Sequence, residues 1–150
     1  MNILAWLLVL LVGAALPLQA LVNARLAQLT FGPLFASLMS FCVGTLALAL
    51  GWLATRPQGL AGATLAQVPW WAWSGGVFGA AFVAVATLMI PRMGAAALIC
   101  LVVFGQMAGS LLLDHFGVLH PRQPADALRV FGVVLVAVGA LLVVRPWQQG

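Results

Sequence analysis

Gly-Gln-Met-Ala-Gly-Ser-Leu-Leu-Leu-Asp-His-Phe-Gly, residues 105–117, closes an apolar segment that opens near Gly94 and is expected to stop at Asp114. At the helical repeat, Gln106, Ser110 and Asp114 fall four apart on one face, with Gly105 and Gly109 one position behind them. One face therefore offers hydrogen-bonding groups, and its neighbour lets another helix come close. Inside a bilayer, such adjacent stripes serve as packing surface or as a solute pathway.

Composition supplies the bilayer. Hydrophobic residues make up 65% of the 150 and charged residues 5%, against about 45–50% and about 25% in soluble domains. Lys and Glu are absent, and the eight charges (Arg25, Arg56, Arg92, Arg122, Arg129, Arg145, Asp114 and Asp126) sit at or near breaks between apolar runs. A soluble fold built from this chain would have almost no polar surface. It reads as an all-α integral membrane protein.

A hydrocarbon core of about 30 Å needs about 20 helical residues. Five spans qualify, at about 3–22, 33–55, 70–90, 94–113 and 126–144, within a single five-span domain over residues 1–150. The first is expected to run on as helix toward Thr30, Pro33 to open the second, Pro91-Arg92 to stop the third, and Asp126 to cap the fifth. Residues 56–69 and 114–125 read as loops and 91–93 as a tight turn. Trp6, Trp52, the Trp70–Trp73 cluster and Trp147 fall near span ends, where amphipathic rings meet headgroups. The opening Met-Asn-Ile-Leu-Ala-Trp lacks the basic n-region of a signal peptide, so the first span is expected to stay in the membrane.

Several other chemistries find no support. Single arginines at helix ends, with no interleaved aromatic stripe, argue against nucleic acid. Cys42 and Cys100 lie inside apolar spans and read as buried free thiols. No nucleophile elbow, phosphate loop, paired carboxylates or cofactor motif is present, and the loop residues His115 and His120 imply no metal geometry. The expectation is a protein without enzyme activity, cofactor or metal.

Small residues pattern the helix faces: Gly44 in the second span, Gly75 and Gly79 in the third, Gly105 and Gly109 in the fourth. Lipid tails give helices no hydrophobic reason to associate, so these positions are expected to pack helices together.

Orientation follows the Arg and Lys count on each side. With five spans, one side holds Arg56, Arg122 and Arg129, and the other Arg25, Arg92 and Arg145: three against three. A chain without this bias is expected to insert both ways and to pair antiparallel, giving a ten-helix dimer with inverted-repeat symmetry. Many secondary transporters use such symmetry, because exchanging the halves' conformations interconverts inward-open and outward-open states.

Leu-Gln-Ala-Leu-Val-Asn-Ala-Arg-Leu at 18–26 and Ala-Ser-Leu-Met-Ser-Phe-Cys-Val-Gly at 36–44 resemble the opening of the small YdcZ-like proteins of the drug/metabolite transporter superfamily. Pro91 with Met93-Gly94-Ala95, the 105–117 stretch, and Arg129-Val130-Phe131-Gly132 followed by Gly139 are similar to its second half. The resemblance covers nearly the whole chain. It implies a five-span half-transporter in the inner membrane, of a family whose members occur as single dual-topology proteins, oppositely oriented pairs or fused ten-span proteins. It names no substrate. The related four-span small multidrug resistance proteins carry an embedded Glu in their first helix. Here that helix has Gln19 and Asn23 and no acid, so proton-coupled export of cations is not carried over.

Gln19 and Asn23, four apart, must find partners in a neighbouring helix, water or a solute. Pro17 just before them leaves the Gly13 carbonyl without its donor, where a kink or hinge is expected. Gln106 falls near mid-membrane, where transporter substrates bind. Ser110 either bonds back to the Gln106 carbonyl or touches solute. Asp114 is the coupling candidate, or else the partner of Arg122 or Arg129. The leading expectation is a secondary transporter moving a small polar or amphipathic solute by alternating access, its solute contacted by Gln106, Gln19, Asn23 and Ser110 between protomers. The alternatives are a passive dual-topology channel and a non-transporting, lipid-handling subunit. Membrane lipid, a solute and a second copy are the expected partners.

Overall fold

The computed structural model describes residues 3–55 and 68–145. Within them the chain forms five long helices and no strand: α1 (Ile3–Leu29), α2 (Pro33–Ala54), α3 (Gly75–Met93), α4 (Ala95–Phe116) and α5 (Ala127–Val144). A 3-10 segment, Trp70–Ser74, leads directly into α3. All five are long and apolar enough to cross a membrane. Arg56 and Trp147 lie outside the described residues.

The helix ends follow from local chemistry. Gly32 takes φ +97°, open to glycine without a Cβ penalty, and Pro33 follows in the first turn, where its missing N–H costs nothing. Asp126 caps α5, its Oδ1 accepting from the Arg129 N–H at 2.8 Å, as the sequence predicts. Helix α1 runs without interruption through Pro17 to Leu29.

Two boundaries differ from expectation. Helix α3 does not stop before Pro91 but runs on to Met93, leaving one residue, Gly94 at φ +80°, before α4. Proline near a helix end withdraws one donor, here from the Thr87 carbonyl, and does not forbid the turn that follows it. Helix α4 likewise passes Asp114 and ends at Phe116, so Asp114 belongs to its last turn. The stop signal is Gly117 at φ +68°. Its N–H reaches the Asp114 carbonyl at 3.2 Å, and the Val118 N–H reaches that of Leu113 at 3.0 Å, the Schellman pattern.

The helices gather into two compact units, residues 1–91 and 92–150. In the first, α1 packs along α2, Asn23 Nδ2 donates to Ser40 Oγ at 3.3 Å, and Gly79 of α3 faces the Phe41 ring. Its buried residues are Asn23, Ala24, Ala36, Ser37, Ala86, Thr87 and Ile90. In the second, α4 packs along α5, and the buried residues are Ala97, Leu98 and Ala140. Most buried positions are thus small or polar, while most Leu and Val side chains of α1 and α5 are exposed. That is the inverse of a soluble core, and it suits helices whose solvent is hydrocarbon.

Gly44, Gly75, Gly105 and Gly109 have open space where a Cβ would project. Cys42 is exposed and Cys100 half-buried, both as free thiols, so neither is the fully buried thiol expected from an apolar span. The reason is the same inversion: an apolar surface facing lipid hides nothing from a neighbouring chain. Trp6, Trp52, Trp70, Trp71 and Trp73 all expose their rings near helix ends, as an interfacial belt does.

Gly117 carries a definite prediction. A Cβ there would lie 3.0 Å from Arg122 Cβ and 3.1 Å from its Cα, at a backbone angle unfavourable to alanine. Gly117→Ala is expected to destabilise the second unit by roughly 1–3 kcal/mol. Its midpoint of thermal unfolding in detergent should fall.

Candidate functional site

Two clefts hold the polar residues singled out by sequence, one in each unit. The cleft between α4 and α5 has a volume of about 420 Å³ and is lined by Val103, Gln106, Met107, Ser110, Leu111, Asp114, Arg129, Gly132 and Val133. The fourfold spacing along α4 delivers Gln106, Ser110 and Asp114 to one wall. Arg129 and Gly132, three apart on α5, form the facing wall, where the missing glycine side chain leaves room.

Gln106 lies eleven residues after Ala95 in a helix of 22 residues, roughly 16 Å along at about 1.5 Å per residue. Its side chain is exposed on the protomer, as is that of Ser110. Neither makes a side-chain hydrogen bond to a described residue, and the back-bond from Ser110 to the Gln106 carbonyl weighed above is not formed. An amide left without partners in hydrocarbon costs about 2–7 kcal/mol, so water, a solute or another chain must meet these groups.

The cleft ends on charge. Asp114 Oδ1 lies 3.0 Å from His120 Nε2, and Oδ2 lies 4.0 Å from Arg129 Nη1. Arg122, the other candidate partner, turns away: its Nε donates to the His115 carbonyl at 2.8 Å. The 117–126 loop folds back over the end of α4, with the Gln123 N–H on the Asp114 carbonyl at 2.8 Å and the Ala125 N–H on His115 Nδ1 at 3.2 Å. The carbonyls of Leu113, Asp114 and His115 are thereby satisfied, and cationic side chains stand at the negative end of the α4 dipole.

The α1–α2 cleft, about 440 Å³, brings together Gln19, Asn23 and Ser40 among Ala15, Leu18, Val22, Leu26, Met39 and Val43. Asn23 is buried and engaged with Ser40, whereas Gln19 is exposed without a side-chain partner among the described residues. Gln19 also borders a smaller cleft of about 180 Å³ with Ser40, Phe41, Gly44, Thr45 and Leu48. Gly44 therefore opens onto a cleft beside a candidate solute residue.

Sequence reasoning missed His120 as the partner of Asp114 and Arg129 as a cleft residue. The Arg129-Val130-Phe131-Gly132 run was the available signal for the second, since Arg129 and Gly132 share a face. Nothing comparable marked His120, which a loop brings six residues back to Asp114. Among the described residues no group of three His, Cys, Asp or Glu could hold a metal ion.

Five apolar spans with amide-bearing clefts describe a multi-pass membrane protein. The comparisons with known proteins agree. The family described as "Putative inner membrane exporter, YdcZ" matches residues 4–142. The chain is also similar to the inner membrane protein YdcZ of Escherichia coli (strain K12), at 32% identity over 89% of each chain. The chain belongs to the YdcZ family and is a multi-pass inner membrane protein. No solved structure matches it.

Proposed function

We propose that this protein is a secondary transporter of a small polar or amphipathic solute, working by alternating access as an antiparallel pair of five-helix protomers. The observation that carries the reading is the α4–α5 cleft: Gln106 and Ser110, exposed and unpaired in the middle of a span, stand on a wall that ends at Asp114 and Arg129. Hydrocarbon alone would not tolerate those groups. A solute with an apolar body and hydrogen-bonding groups matches both the Val103, Met107, Leu111 and Val133 surface and the polar stripe. Family membership supports movement across the inner membrane.

The antiparallel pair is supported by the three-against-three arginine count and by the odd number of spans, since two oppositely inserted copies supply the inverted repeat that alternating access exploits. Ser110 serves the solute beside Gln106 in the α4–α5 cleft, Gln19 and Asn23 offer it hydrogen-bonding groups in the α1–α2 cleft, and the open faces at Gly75, Gly105 and Gly109 are where close helix packing between copies is available.

Proteoliposomes loaded with members of a solute panel test the function. Saturable uptake with trans-stimulated counterflow is the expected result. Flux that rises in proportion to the gradient without saturation indicates a channel, and no flux for any solute indicates a non-transporting subunit; either outcome contradicts the carrier.

A further inference from the structure

The seam between α4 and α5 continues past the end of its polar wall. Beyond Val103 a second cleft of about 320 Å³ follows the same two helices, lined by Ile99, Cys100, Val136, Gly139, Ala140 and Val143. Val103 borders both clefts, so they adjoin. The α5 side of the seam is one helical face: Gly132, Val136, Gly139 and Val143 recur at steps of three and four residues. Leu135, Val138 and Leu142, which lie between them in sequence, are exposed and line neither cleft. Gly132 and Gly139 are two turns apart, and each has open space where a Cβ would project.

The two stretches differ in chemistry. From Asp114 back to Gln106, about 12 Å at about 1.5 Å per residue, the wall carries a carboxylate, a hydroxyl and an amide, faced by Arg129. From Val136 to Val143, about 10 Å on the same rise, the lining is hydrocarbon apart from the Cys100 thiol. We infer that this second stretch is a tail subsite, and that the solute of the α4–α5 cleft is a single-tailed amphiphile. Its polar head lies along Gln106, Ser110 and the Asp114–Arg129 pair, and its hydrocarbon tail runs past Cys100 and Gly139 toward Val143. The inference rests on the solute reading of the polar cleft given above and adds the class of molecule that the cleft takes. About 10 Å suits a chain of roughly eight carbons, with C–C bonds of about 1.5 Å.

Lipid tails wet any apolar slot without preference, so the head selects the occupant. The polar stretch reaches mid-span at Gln106, where hydrocarbon offers an amide no partner. A molecule that brings hydrogen-bonding groups to that depth removes the cost, and a phospholipid with its head at the surface does not. Asp114 and Arg129, the two charged residues lining the cleft, stand 4.0 Å apart and offset each other. An uncharged or zwitterionic head therefore enters without stranding a charge in hydrocarbon, whereas a net cation or anion strands one. A helix of a second copy, about 10–12 Å across, could lay only single side chains into a seam between two helices already packed together.

The full chain in lipid nanodiscs tests this with N-octanoylglycinamide and with N-acetylglycinamide, which has the same uncharged head and no tail. An octanoyl probe carrying a diazirine at its tail end should label Ile99, Cys100, Gly139 or Val143. Unlabelled N-octanoylglycinamide should suppress that labelling about tenfold or more, and N-acetylglycinamide at the same concentration should leave it within about twofold. Labelling of the exposed Leu135, Val138 and Leu142 should respond to neither. Gly139→Leu fills the slot and should lower its labelling about tenfold or more. Val143→Phe fills the same end should the first variant fail to fold, with the unfolding midpoint measured on each. Gln106→Leu, which leaves the slot itself intact, should lower slot labelling as well, because the head loses its anchor. Equal, uncompeted labelling of slot and outer face means lipid contact alone and overturns the subsite. Labelling that rises as the protein is diluted in lipid means a second copy covers the seam, and overturns it too. In proteoliposomes, competed slot labelling without flux of either compound keeps the subsite and removes the carrier. Saturable flux of N-acetylglycinamide without competed slot labelling keeps the carrier and removes the subsite.

Discussion

Replacing Gln106 with leucine is expected to lower solute flux about tenfold or more while leaving the protein inserted and helical. The amide sits at the midpoint of α4 on the cleft wall, exposed, with no described side-chain partner to lose. Leucine has similar bulk and is at home in hydrocarbon, so the fold gives up little. What disappears is a donor and an acceptor facing the solute. Two hydrogen bonds at about 0.5–1.5 kcal/mol each correspond to about tenfold or more in rate or affinity. Initial rates of counterflow, with helicity and thermal unfolding measured on the same sample, separate this from misfolding. The unfolding midpoint should hold or rise, since an unpartnered amide has been removed. Full flux in the leucine variant would take Gln106 out of the pathway.

A larger effect is expected from charge alone. Leu29→Arg with Thr30→Arg adds two positive charges at the exposed end of α1 and turns the three-against-three count into five against three. Gln58→Arg with Ala61→Arg adds two on the opposite side. Each double variant should insert in one orientation and, expressed alone, lose flux down to the level of empty liposomes. Co-expressing the two should restore it, because one supplies each half of the antiparallel pair. Leu29 and Thr30 line neither of the two clefts, and loss with rescue isolates orientation as the cause. Activity in either double variant alone would show that opposite insertion is not required.

The existence of the five spans, their order and the capping of α5 by Asp126 were legible in the sequence, because a bilayer demands long apolar runs and tolerates charge only at their ends. The stops were less so. Pro91 reads as a terminator, but a proline in the last turn costs only the Thr87 carbonyl its donor, and the break falls at Gly94. Asp114 reads as the start of a loop, yet the αL glycine three residues on decides where α4 ends. The spacing of Gln106, Ser110 and Asp114 placed one wall of the cleft correctly because helical periodicity is local. The other wall came from α5, and periodicity within one helix does not say which residue of another faces it. His120 was invisible for a further reason: its contact with Asp114 depends on a loop whose path is set by Gly117, the left-handed Leu119 and the Gln123 N–H, none of which reads as a ligand signal.

Orientation is the claim on which the antiparallel carrier stands, and it is directly measurable. The chain should be fused at its C-terminus, separately, to a phosphatase that is active only outside the inner membrane and to a fluorescent protein that folds only inside it. Both fusions are predicted to report, with comparable signals after correction for expression. Signal from one fusion and background from the other would mean a single orientation, and the inverted pair would be ruled out.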